Sequence, residues 1–118
     1  GPKMKLVKGY LGHDLQLEGS LSSSDSIRID GNYVGSINSK CMVIVGALGK
    51  VKGQIDAPVI RVDGWVEGNI KASKLVEILE NARIMGNIST PVGGLKMRIG
   101  SEFVGKFSVN STDQSTNE

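Results

Sequence analysis

Six times along the chain, two apolar residues flank a spacer, a glycine and a second spacer. The copies are Leu17-Glu18-Gly19-Ser20-Leu21, Tyr33-Val34-Gly35-Ser36-Ile37, Val51-Lys52-Gly53-Gln54-Ile55, Val66-Glu67-Gly68-Asn69-Ile70, Ile84-Met85-Gly86-Asn87-Ile88 and Phe103-Val104-Gly105-Lys106-Phe107. Their glycines stand 16, 18, 15, 18 and 19 residues apart. Five copies are preceded by an apolar-x-apolar triplet: Ile27-Arg28-Ile29, Val43-Ile44-Val45, Ile60-Arg61-Val62, Val76-Glu77-Ile78 and Met97-Arg98-Ile99. Alternation of period two in β-branched residues predicts strands. A third leg, such as Asp56-Ala57-Pro58-Val59 or Lys71-Ala72-Ser73-Lys74-Leu75, links one copy to the next, and Pro58 and Pro91 stand where it must turn.

Three short strands in a repeat of this size make one coil of a β-helix. Coils stacked about 4.8 Å apart bond strand to strand, so six would form a rod roughly 25 to 30 Å long. No coil buries its own apolar face, and stability has to come from neighbours. The expected inward columns are Ile29, Val45, Val62, Ile78 and Ile99; Leu17, Tyr33, Val51, Val66, Ile84 and Phe103; and Leu21, Ile37, Ile55, Ile70, Ile88 and Phe107. Strict alternation would also turn the six glycines inward, at a crowded or bent spot. The expected outward column runs Arg28, Ile44, Arg61, Glu77, Arg98, with Arg61 one rung from Glu77. Val92-Gly93-Gly94 reads as a protruding turn.

Composition sharpens this picture. A chain of 118 residues supports one domain, and 16 glycines with only two Phe, two Tyr and one Trp suit a narrow, repeated core. Residues 1–9 read as a short leader, of which 1–3 look like a protease-site remnant. Residues 10–107 form the repeat domain, and the polar stretch 108–118 reads as a disordered tail. The single cysteine, Cys41, excludes an internal disulfide and suits a reducing, cytoplasmic setting. No run approaches the roughly 18 apolar residues of a membrane-spanning helix.

The chain is poor in catalytic chemistry. One histidine, His13, cannot form a zinc cluster, and Cys41 has no cysteine partner. Gly46-Ala47-Leu48-Gly49-Lys50 lacks the spacing and following helix of a phosphate-binding loop and reads as a corner. The carboxylate pairs Glu77/Glu80 and Asp63/Glu67 fall at outward positions, as a solvated face requires. A net charge of +2, with lysines scattered and no aromatic platform beside them, argues against nucleic acid. The expectation is a non-enzyme without catalytic residues, cofactor, metal or nucleotide.

The rod's ends are the candidate site. A stacked sheet is endless unless capped, and exposed terminal strands invite pairing. Phe103 and Phe107, with Met97 and Ile99, are the candidate joint at the C-terminal end; Leu11, Leu15, Leu17 and Leu21 are the candidate at the N-terminal end. The expected partner is a second copy, end to end. Met4-Lys5-Leu6-Val7-Lys8, cationic and apolar, is a candidate membrane contact that many copies would strengthen by avidity.

From about Gly9 to Phe107 the sequence resembles the bactofilins, bacterial cytoskeletal proteins. The resemblance is carried by Ile29-Asp30-Gly31 with Val34-Gly35-Ser36-Ile37, by Val62-Asp63-Gly64 with Val66-Glu67-Gly68-Asn69-Ile70, and by Gly86-Asn87-Ile88 with Phe103-Val104-Gly105. It implies an all-β fold, a three-sided right-handed parallel β-helix of about six coils. It further implies nucleotide-independent, non-polar filaments, often at the inner face of the cytoplasmic membrane. Such filaments serve as scaffolds for cell shape that position peptidoglycan-remodelling enzymes. The family's polymerisation phenylalanine corresponds to Phe103, and its membrane leader to Met4–Lys8. Two alternatives belong to other classes. A left-handed hexapeptide-repeat acyltransferase has coils of similar size, but needs a small apolar residue every six positions and a histidine within the rod. A monomeric interaction rod is the other.

Overall fold

A computed structural model describes residues 9–110. Ten strands run in chain order: β1 (Gly9–Leu11), β2 (Gln16–Ser23), β3 (Ile27–Ile29), β4 (Asn32–Ser39), β5 (Met42–Val45), β6 (Lys50–Val62), β7 (Trp65–Ile78), β8 (Arg83–Thr90), β9 (Leu95–Met97) and β10 (Glu102–Val109). Every pairing between them is parallel, and all ten belong to one continuous sheet. The result is a three-sided parallel β-solenoid of six coils. Each coil is built from a triplet leg, a leg ending at the template glycine, and a leg leaving it.

Register is continuous at the template. Gly19, Gly35, Gly53, Gly68, Gly86 and Gly105 stack as one column, flanked by the two expected columns from Leu17 to Phe103 and from Leu21 to Phe107. Within the middle coils the alternation is sharp: Val51, Ile55, Ala57, Ile60 and Val62 are buried, while Lys52, Gln54 and Asp56 are exposed. Among the described residues, twenty apolar side chains form one core cluster, with Leu21, Leu95 and Phe103 packed against it from the terminal coils.

The glycines do not point inward as simple alternation expects. Their φ values run from 125° to 148°, a region that residues with a Cβ rarely enter. A Cβ built on Gly68, for example, would point along the rod into the Gly53 carbonyl oxygen. The template glycine is therefore a corner, where the backbone bends between two legs and lies directly on the coil below.

The remaining corners explain the uneven repeat length. Between the triplet leg and the next leg, coils use either two residues or four. The four-residue corners close as turns: Leu15 N–H donates to Gly12 O at 3.1 Å, Gly49 to Gly46 at 2.8 Å, Ala82 to Leu79 at 3.0 Å and Ser101 to Arg98 at 3.3 Å. The two-residue corners are Asp30-Gly31 and Asp63-Gly64. Each stacks so closely on a four-residue corner that a Cβ on its glycine would strike that corner's carbonyls. Inserted residues thus sit at corners. Two smaller adjustments fall at the third corner: the register shifts by one residue between Ala57 and Val59, and the turn from Pro91 to Gly94 adds one residue before Leu95.

Two expectations for the last coil are corrected. The leg paired with Val76-Glu77-Ile78 is Leu95-Lys96-Met97, not Met97-Arg98-Ile99. Met97 occupies the inward position given to Ile99, Lys96 the outward position given to Arg98, and Ile99 is 99% exposed in the following turn. The reason lies in the corner. A two-residue corner needs its glycine second, as in Asp30-Gly31, whereas Gly100-Ser101 has it first, so the chain makes a four-residue turn from Arg98. The final strand also runs past the expected domain end at 107, through Ser108 and Val109. There Asn110 N–H donates to Thr90 O at 2.7 Å, and its side-chain amide donates to Ala72 O at 3.2 Å and Ser89 Oγ at 3.1 Å.

Candidate polymer interface at the rod ends

The terminal strands β2 and β10 each pair on one side only, β2 with β4 and β10 with β8. Each therefore offers an unpaired parallel edge. Among the described residues there is no helix over either end. Side chains that point inward in the terminal coils have, among the described residues, a neighbouring coil on one side alone.

At the C-terminal end, Phe103 continues the column above Ile84 and remains partly buried, while Phe107 continues the column above Ile88 and is 43% exposed. Met97 is 46% exposed above Ile78. The same positions one coil earlier are sealed: Ile84, Ile88 and Ile78 are 1% exposed or less. Val109, in register with Thr90, extends this apolar face and is half-exposed. The polar composition of residues 108–118 hides it, although it lies two residues beyond Phe107 in the same alternation. Ile99 projects from the side turn and not from the end column.

At the N-terminal end, Leu17 and Leu15 are about half-exposed and Leu21 is partly buried below Ile37. Leu11 differs from the other three. At 6% exposure it belongs to the core, and Tyr10 beside it is the exposed residue. Met4, Lys5, Leu6, Val7 and Lys8 lie outside the described residues.

Polar groups along the rod serve the fold. Arg28 Nε donates to Asp30 Oδ2 at 2.8 Å, and this hydrogen bond raises the guanidinium pKa further. Arg61 lies 3.1 Å from Glu77 across one rung, as the outward column predicts. The Tyr33 hydroxyl donates to Gly19 O at 2.8 Å and reaches Ser36 O at 3.1 Å, and burial pushes its pKa up. Ser26 Oγ donates to the exposed Cys41 Sγ at 3.3 Å, and His13 lies 3.2 Å from Asp14 at the surface. No group of three metal-ligating side chains occurs among the described residues. No helix long and apolar enough to cross a membrane occurs among them.

A family model described as "Bactofilin: Polymer-forming cytoskeletal" matches residues 9–108, all of the solenoid but its last residue or two. The chain belongs to the bactofilin family. Among solved structures it is similar to a bactofilin from Thermus thermophilus, reconstructed by cryo-EM as double helical filaments. Identity is 29%, the match covers 86% of this chain and 99% of that one, and the TM-score is 0.78. It is also similar to the crystal structure of a phenylalanine-to-arginine mutant of Thermus thermophilus bactofilin, at 25% identity, 86% and 98% coverage and a TM-score of 0.62. A search of curated protein sequences finds no match. Bactofilins are polymer-forming cytoskeletal proteins.

Proposed function

We propose that this bactofilin is a non-enzymatic cytoplasmic scaffold whose rods join end to end into non-polar filaments without nucleotide. The carrying observation is the contrast between sealed and open positions of one column, Ile88 buried and Phe107 open directly above it. An end-on joint would give these side chains the missing coil, adding main-chain pairing at the two unpaired edges. Filaments of this kind would organise cell shape by holding peptidoglycan-remodelling enzymes in place. The Met4–Lys8 leader would add a weak contact at the inner membrane surface that polymerisation multiplies. Two strands winding on each other, as in the double helical filaments of the Thermus relative, would need a lateral surface besides the end joint.

The test is electron microscopy of the purified full chain in nucleotide-free buffer. Filaments are expected. Monomers alone at high protein concentration would overturn the reading in favour of a solitary interaction rod.

A further inference from the structure

The three sides of the rod present different surfaces. The side leaving the template glycines carries Ser36, Gln54, Asn69 and Asn87 and is polar throughout. The triplet side carries charges already satisfied within the chain, Arg28 with Asp30 and Arg61 with Glu77. The side entering the glycines also carries charges with neighbours in the chain, Arg83 at 3.6 Å from Glu102 and Lys52 one rung from Glu67, but differs in its exposed apolar residues. It exposes Val34 at 47%, Met85 at 48% and Val104 at 66%, with a half-buried Trp65 in the outward column beside them. A shallow hollow of about 250 Å³ lies between Val34, Lys50, Lys52 and Trp65.

We propose that this side pairs two copies of the chain laterally and antiparallel. The two-fold axis would run parallel to the strands, between the rung of Lys52 and the rung of Glu67. Such an axis sets each outward column against itself in reverse order. Lys52 then faces the partner's Glu67, and Lys50 faces the indole of the partner's Trp65. Val34 faces the partner's Met85, whose adaptable thioether fills the hollow. Farther out, Glu18 meets the partner's Val104, and Asn32 the partner's Arg83. No like charges oppose one another in this register. In the parallel arrangement, each Lys50 would lie against the partner's Lys52 at the centre of the contact, a like-charge repulsion.

The side is about three residues wide and six rungs tall, a footprint of roughly 300 Å² by strand and rung spacing. That falls well below the roughly 800 Å² per partner of a stable complex. A single pair of rods is therefore weak, and the contact gains strength by repetition along two filaments. In this sense it rests on the end-to-end reading above.

Charge reversal on full-length protein tests it. Lys52→Glu and Glu67→Lys each place like charges across the axis, and also on adjoining rungs of one rod, so circular dichroism first checks that the solenoid is intact. Electron microscopy should then show single strands in place of paired ones. The double exchange Lys52→Glu/Glu67→Lys restores both contacts and should restore pairing. Paired filaments in either single variant, or no recovery in the double, would overturn the proposal while leaving end-to-end assembly intact. A second arm does not depend on filaments. In Cys41→Ser protein at high concentration, oxidation of the Val34→Cys/Met85→Cys variant should give covalent dimers, and each single cysteine should give none. Dimers from a single cysteine, or none from the pair, would overturn the antiparallel register. Absence of all filaments together with the expected dimers would instead count against the end joint alone.

Discussion

Gly68 lies one rung above Gly53, and a Cβ at Gly68 would run into the Gly53 carbonyl oxygen. At Gly19, the first glycine of the column, a Cβ would meet nothing within 4 Å, although its φ of 125° is equally unusual. The pair of positions separates two costs that normally occur together. Gly19→Ala should lose about 1–3 kcal/mol, the cost of the backbone conformation. Gly68→Ala adds collision with an immovable backbone and should exceed about 4 kcal/mol. Urea unfolding of the two variants checks this, and equal losses would show that packing between coils is not what excludes a side chain.

Phe103→Arg should abolish filaments while preserving the solenoid. No coil of the described residues lies above Phe103, so an arginine can carry its charge outward in the free rod but not in a joint. A joint weakened by about 3 kcal/mol would raise the critical concentration for assembly by more than 100-fold. Pelleting assays and circular dichroism read the two effects separately. Persistence of long filaments would move the joint elsewhere.

Ile70 and Ile99 give a matched pair for the core. Ile70 is 1% exposed in the fourth coil, and Ile70→Ala should cost about 2–5 kcal/mol through lost burial and a cavity. Ile99, fully exposed in its turn, should tolerate Ile99→Ala within about 0.5 kcal/mol. A large loss at Ile99 in unfolding experiments would contradict the register of the last coil.

Tyr33 predicts an alkaline limit. Burial raises its phenol pKa above the ordinary value of 10.0, so the folded state holds its proton more tightly than the unfolded chain. The stabilisation is complete below the unfolded pKa and is lost as pH rises through the folded one. Tyr33→Phe should cost about 1 kcal/mol at neutral pH, from the hydrogen bonds to Gly19 O and Ser36 O. It should also flatten the decline in stability above about pH 10 relative to the natural residue. Parallel slopes in the two proteins would show that the phenol is not responsible.

The strands, the six coils and most of the core were legible in the chain because a solenoid repeats local rules. Alternation assigns Val51 and Ile55 inward and Lys52 and Gln54 outward without reference to distant residues, and the open ends at Phe103 and Phe107 follow from where the repeats stop. Stacking decided the rest. Both Leu95-Lys96-Met97 and Met97-Arg98-Ile99 read as a triplet, and only the corner geometry against the coil below selects the first. The direction of the glycines likewise depends on a bend that period-two alternation cannot represent. Leu11 is sealed while Leu17 stays open, because the coil wraps one and leaves the other at the rim. Lys52 stands beside Glu67 only once fifteen residues of chain are wound into one rung. The repeat thus determined which residues face the core; contact between neighbouring coils decided register, corners and the chemistry of each side, since these depend on atoms that sequence spacing alone does not bring together.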